Sequence, residues 1–257
     1  MASTFATASA TQTERRFFLI LTSLMSASIV TGFALQLALG RSSFDVPWIY
    51  HAHAVVFFGW VALFTAQAYL MDSGNIVVHR QLGMVAVIWV PVMTVLGIAL
   101  SLTVMQRTGG PFFFAQNQFL FSNPAHLLCF AALTFWALKV RRQGGWHRRL
   151  LICGYALLTG PGLGRILPLP FMIPNAWHIM VAVLLVFPVI GMIRDKLKMR
   201  RVHPAWYAGI AAILAVQIAA DLIADSPWGM ALTEYIVAGT PGGERPVEAF
   251  LPPGFGM

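Results

Sequence analysis

Seven histidines are the residues of this 257-residue chain whose type and placement can carry chemistry. His51 and His53 open one apolar run, His126 lies early in another, and His178 opens a third. His79, His147 and His203 each stand just before the next run. The intervals are alike: 26 residues from His53 to His79, 21 from His126 to His147 and 25 from His178 to His203. Polar groups inside a bilayer are costly unless they are paired or functional. Imidazole is also the standard axial ligand of haem iron. A b-type haem between helices needs two histidines at similar depth on facing helices. The sequence offers an outer pair, His51 or His53 with His126, and an inner pair, His79 with His147; His178 competes in the outer layer. Two pairs at opposite faces would make an electron path across a membrane. A metal site built from His51, His53, His126 and His178 is the other chemistry this layer allows.

The plainer reading stands beside these. His79, His147 and His203 are embedded in basic loops and can simply extend a cytoplasmic anchor. His51, His53 and His178 neighbour Trp48, Tyr50 and Trp177, which fits an aromatic belt at the membrane surface. His126 is deeper and less easily explained that way. Arg165 and Asp221 have opposite charge at similar depth, so an ion pair is expected, or else two residues snorkelling to the interface. Gln36 and Gln67 can bond between helices, and Gln67 can also orient a quinone or a haem propionate.

The elements that must position these groups are transmembrane helices. The chain is 58% hydrophobic and 10% charged, against roughly 25% charged residues in a soluble domain. About 20 apolar residues cross the hydrocarbon. The apolar runs predict seven spans: 17–39, 48–71, 82–105, 118–138, 150–167, 173–193 and 205–223. The fold class is therefore an all-α polytopic bundle. Residues 1–16 form a cytoplasmic segment, 17–225 the seven-helix domain, and 226–257 an external Pro/Gly-rich tail of partly irregular structure. With the N-terminus inside, 13 of the 17 lysines and arginines fall in cytoplasmic segments. That asymmetry sets the orientation, with the C-terminus outside. The net charge of +8 belongs to these loops, and no nucleic-acid module is present. Arg15-Arg16-Phe17-Phe18-Leu19 partly matches a twin-arginine export signal, but its apolar run is longer than a signal core. The leader from Met1 to Thr13 faintly resembles a transit peptide and is very short for one, so a bacterial inner membrane is expected. Cys129 and Cys153 lie in apolar runs and form no CxxC motif; they are expected to be small buried hydrophobes. Soluble-enzyme signatures such as HExxH, GxSxG or a phosphate loop are absent.

Two resemblances follow from the residues. At His79-Arg80-Gln81-Leu82-Gly83, His147-Arg148-Arg149-Leu150, Arg165 and His203-Pro204-Ala205, the chain resembles an uncharacterised bacterial seven-helix membrane protein family. This implies a shared fold and no particular activity. More loosely, its histidines on four consecutive helices resemble the two-haem transmembrane cytochromes b of the ascorbate-reducible type. Carried over, that resemblance pairs His53 with His126 and His79 with His147 as haem iron ligands. The departures are histidines nearer the helix ends, two candidates on helix two, and a further helix pair bearing His178 and His203. The expected function is thus an integral membrane protein, with b-haem electron transfer to a redox partner or quinone as one reading. The alternative is a non-catalytic membrane protein: a small-solute or ion carrier, or an accessory or assembly subunit of a membrane complex.

Overall fold

A computed structural model describes residues 11–254. Most of the leader, Met1 to Thr13, and the last three residues of the tail lie outside them. The described residues form ten α-helices and no strand. They are α1 (Gln12–Ala38), α2 (Trp48–Asp72), α3 (Ile76–Gly83), α4 (Ala86–Thr108), α5 (Gln116–Lys139), α6 (Gly144–Ile166), α7 (Ala176–Leu184), α8 (Val186–Met199), α9 (Pro204–Ala224) and α10 (Pro227–Val237). Six helical stretches are long and apolar enough to cross a membrane: α1, α2, α4, α5, α7 with α8 taken as one run, and α9. The protein is a multi-pass helical membrane protein on this architecture.

The fifth expected span, 150–167, falls in α6, which is about as long as the others but less apolar. It carries Arg148, Arg149, Arg165 and six glycines. Its position explains this. Helix α6 packs against α1, α5, α7, α8 and α9, and 13 of its residues are buried. A helix wrapped by its neighbours need not be greasy on every face, because lipid does not touch it. Its glycines let backbones meet: a Cβ on Gly162 would come within 2.5 Å of Ile29 Cα on α1. Helix α2 is the opposite case. It buries only Trp60, Val61 and Phe64 and sits at the edge, against α1, α3 and α4.

Three boundaries differ from the sequence reading, each for a local reason. Helix α1 starts one turn early, because the Thr11 hydroxyl accepts the Glu14 N–H and caps it. The loop before α4 contains the short helix α3, which Asn75 caps through the Val78 N–H. The sixth expected span is broken at Leu185, where Pro188 removes the N–H that the Leu184 carbonyl would take. The tail is only partly irregular. Ser226 caps α10 through the Gly229 N–H, and a 3-10 turn follows at Pro241–Glu244. The strap beyond it lies over the ends of α4 and α5. Gln116 N donates to the Val247 carbonyl at 2.7 Å, and Phe250 N to the Phe112 carbonyl at 2.9 Å. Arg245 clamps the strap by donating to the carbonyls of Gly110 and Phe114, both at 2.8 Å.

Candidate functional site

At the end of the bundle that carries the basic loops, four helices meet on a buried ionic network. Arg149, in the second turn of α6, is 1% exposed, and Asp195, near the end of α8, is fully buried. The guanidinium holds the carboxylate with two bonds, Nε to Oδ2 at 2.8 Å and Nη2 to Oδ1 at 2.7 Å. This fork-on-fork pairing is the strongest geometry available to the two groups. Trp206 of α9 donates its indole N–H to Asp195 Oδ2 at 2.9 Å. Gly191 makes room for that ring, since a Cβ there would overlap it. Glu14, in the capped first turn of α1, accepts from Arg148 at 2.7 Å, Arg149 at 3.2 Å and Arg194 at 3.3 Å. His203 caps α9 by accepting the Ala205 N–H on Nδ1 at 3.1 Å. Burial first, and then the Arg149 guanidinium, push His203 down to about 4.

The inner histidines lie beside this network. His147 places Nδ1 2.8 Å from the Ala137 carbonyl on α5. His79 places Nδ1 3.2 Å from the Gln67 carbonyl on α2. Each therefore leans on the last turns of the preceding helix, and the His-Arg-x-Leu echo marks the same device twice. Donating Nδ1–H to a carbonyl fixes the tautomer whose Nε2 is free to bind a metal. At His79 the Gln67 side chain competes. Turned to accept the Gly83 N–H and donate to the His79 carbonyl, its amide nitrogen also faces Nδ1. The two imidazoles are near enough for the charge of one to act on the other, and Arg141 and Arg148 also act on His147. His79 is held below its ordinary range by burial, opposed by the Gln67 carbonyl and reinforced by Arg80.

Toward the opposite end, a second polar network joins α5, α7 and α9. Gln217 is its hub. Its oxygen accepts the Trp177 indole N–H at 2.9 Å. Its nitrogen donates to Ser122 at 3.1 Å and to Asp221 at 2.7 Å. Asp221 also meets His178 Nε2 at 3.0 Å. The His126 ring lies 5.6 Å from that of Trp177, and Gln217 and Asp221 are the polar side chains that act on it. His126 Nε2 is sealed from solvent and lacks a hydrogen bond of good geometry among the described residues, with the Gln217 side chain close enough to act on it. A buried polar atom without a well-made bond is uncommon and calls for a reason.

The structure brings together some of the expected residues and not others. His126 faces α7 and α9, whereas His53 on α2 stacks on Phe57 at 3.9 Å. His51 is exposed. His178 bonds Asp221 instead of joining a metal set, and among the described residues no group of three or more His, Cys, Asp or Glu side chains is placed to hold a metal ion. The expected Arg165–Asp221 pair is not made either. Arg165 sits over the Phe33 ring at 3.9 Å and donates to the Pro161 carbonyl at 2.8 Å. Its charge acts on His53. Asp221 is satisfied by Gln217 and His178, so neither group needs the other. Gln36 does bond between helices, to the Arg165 carbonyl at 3.0 Å. Cys129 and Cys153 are both buried and free, as small hydrophobes would be.

The sequence reading missed Glu14, Asp195, Trp206, Gln217 and Trp177 as network members. It took Arg148, Arg149 and Arg194 as loop anchors. The signal was present in the acidic residues: Glu14 and Asp195 are two of only nine in the chain, and each abuts basic residues. Comparison of the chain with protein-family models, with curated proteins and with solved structures returns no match.

Proposed function

We propose that this protein is a seven-helix component of a bacterial inner membrane, with its N-terminus inside and its C-terminus outside, that takes part in electron transfer through a b-type haem at the inner face. Helix α6 is the seventh span in this reading, shielded from lipid by its neighbours. The orientation rests on the basic loops, 13 of 17 lysines and arginines at one end. His79 and His147 would hold the haem. The observation that carries the reading is the lean of both imidazoles on a carbonyl of the preceding helix. When bound, the haem would supply one-electron chemistry, passed to a redox partner or quinone.

The residues of the chain supply the rest. The Ala137 carbonyl holds the His147 Nδ1–H and leaves its Nε2 as the donor atom, and the Gln67 carbonyl asks the same of His79. Gln67 has a second role, because its amide nitrogen competes for Nδ1 and opposes that tautomer. Arg80, Arg141 and Arg148 make the surroundings positive, which suits acidic propionates. The buried network of Arg149, Asp195 and Glu14 fixes the start of α6 and so the height of His147.

The test is haem stoichiometry in protein purified from haem-replete cells. The expected value is one haem per chain, lost in His147→Ala and in His79→Ala and kept in His53→Ala. Protein without haem overturns the reading. A second reading is a small-solute or ion carrier, favoured by the poorly bonded His126 Nε2 inside the Gln217 network. Solute-driven or proton-driven flux in vesicles, abolished by His126→Ala in a haem-free protein, would establish it instead.

A further inference from the structure

Helices α1 and α2 diverge and leave a groove of about 750 Å³ between them. This falls within the roughly 300–1,000 Å³ of small-molecule sites. Its walls are apolar, with Leu19, Val30, Phe58 and Ala62 among them. Its floor is not. Ser26 and Thr65 both line it, and Ser26 is bonded to Thr65 and to Tyr155 of α6, each at 2.8 Å.

The direction of these hydrogen bonds is determined. Thr65 spends its only hydrogen on the Val61 carbonyl at 2.8 Å. Ser26 must then donate to Thr65, and Tyr155 must donate to Ser26. Every hydroxyl hydrogen of the chain points inward. Ser26 and Thr65 each retain one lone pair, so the floor accepts hydrogen bonds and cannot give them. Ser23 also lines the groove. It is exposed, and its hydroxyl has no hydrogen-bond partner among the described residues. In hydrocarbon no water can satisfy it.

We propose that this groove binds a membrane-soluble alcohol or phenol, a molecule with an apolar tail and a hydroxyl head. The head donates to the open lone pairs of Ser26 or Thr65 and accepts from Ser23. A ketone, an ether or a plain acyl chain leaves the floor unpaired. The proposal concerns binding only and does not depend on haem.

The experiment is photolabelling of the purified protein in lipid nanodiscs with a diazirine-bearing long-chain alcohol, read by peptide mass spectrometry. Label is expected on α1 and α2 peptides. Unlabelled long-chain alcohol and a prenylated hydroquinone should both compete. Their methyl ethers should compete about threefold to tenfold more weakly, the worth of one hydrogen bond. The stronger competitor of the two tells whether an aliphatic or a phenolic hydroxyl is preferred, and either supports the site. Thr65→Val should weaken the alcohol and leave its ether unchanged. Ala62→Leu should block both by filling the groove, and a retained far-ultraviolet helical spectrum confirms that each variant is folded. Equal competition by alcohol and ether, or label spread evenly over the lipid-facing helices, would overturn the proposal and leave the groove to ordinary acyl chains.

Discussion

The two polar networks sit toward opposite ends of the same bundle and solve different problems. The network at the basic end is charged. Arg149 and Asp195 satisfy each other bidentately, Trp206 takes a second Asp195 oxygen bond, and Glu14 ties in α1. The network at the other end is built on one neutral amide, Gln217, and leaves His126 Nε2 without a hydrogen bond of good geometry. The first has the character of a lock that joins α1, α6, α8 and α9. The second joins α5, α7 and α9 through bonds centred on a neutral side chain.

The largest effect should come from opening the lock. Asp195→Ala removes the bidentate partner of the buried Arg149 and leaves it, as an ion pair, only the longer Glu14 contact, which costs up to about 3–5 kcal/mol. Thermal unfolding in detergent should show it as a large fall in midpoint. The double variant Arg149→Met/Asp195→Leu should recover most of that loss, because it buries no orphaned charge. A double variant as unstable as the single one would mean the pair does more than hold the helices.

At the other end, Gln217→Leu strips partners from Trp177, Ser122 and Asp221 and should cost about 1–3 kcal/mol. His126→Phe removes a poorly satisfied nitrogen from the same network and should change stability by less than about 1 kcal/mol. If His126→Phe costs as much as Gln217→Leu, the network is not centred on Gln217 and the contrast fails.

A pH effect separates the two ends further. His203 titrates near 4 in the fold against 6.5 ordinarily. Between those values the unfolded chain binds more protons, so stability is complete above about pH 6.5 and falls as pH drops toward 4. His203→Asn keeps a capping side chain and should flatten that part of the profile in an acid-unfolding titration. The smallest effect belongs to His178→Ala. Its bond to Asp221 is half exposed, so its loss should cost about 0–1 kcal/mol.

Much of the helical layout was legible in the sequence, because apolar length is a direct reading of bilayer thickness. Trp48 opens α2 as expected, and the breaks at Pro188 and before α4 are shifts of one or two turns. What periodicity could not show was which helix lies at the centre. Helix α6 looked like the poorest span because of its glycines and arginines, and those same residues let it take the central place. Depth alone suggested pairing Arg165 with Asp221, but azimuth decides contact, and Arg165 turns to Phe33 while Asp221 turns to Gln217. The inner histidines share a motif, His79-Arg80-Gln81-Leu82 and His147-Arg148-Arg149-Leu150, and each meets a backbone carbonyl of the preceding helix.

The central claim is that this inner pair holds a haem. It is tested most directly by the dithionite-reduced minus oxidised absorption spectrum of purified wild-type protein and its His147→Ala, His79→Ala and His126→Ala variants. The account predicts a b-type band in the wild type and in His126→Ala, and its loss in both inner variants. A flat difference spectrum in the wild type, or a band that survives in both inner variants, would contradict it.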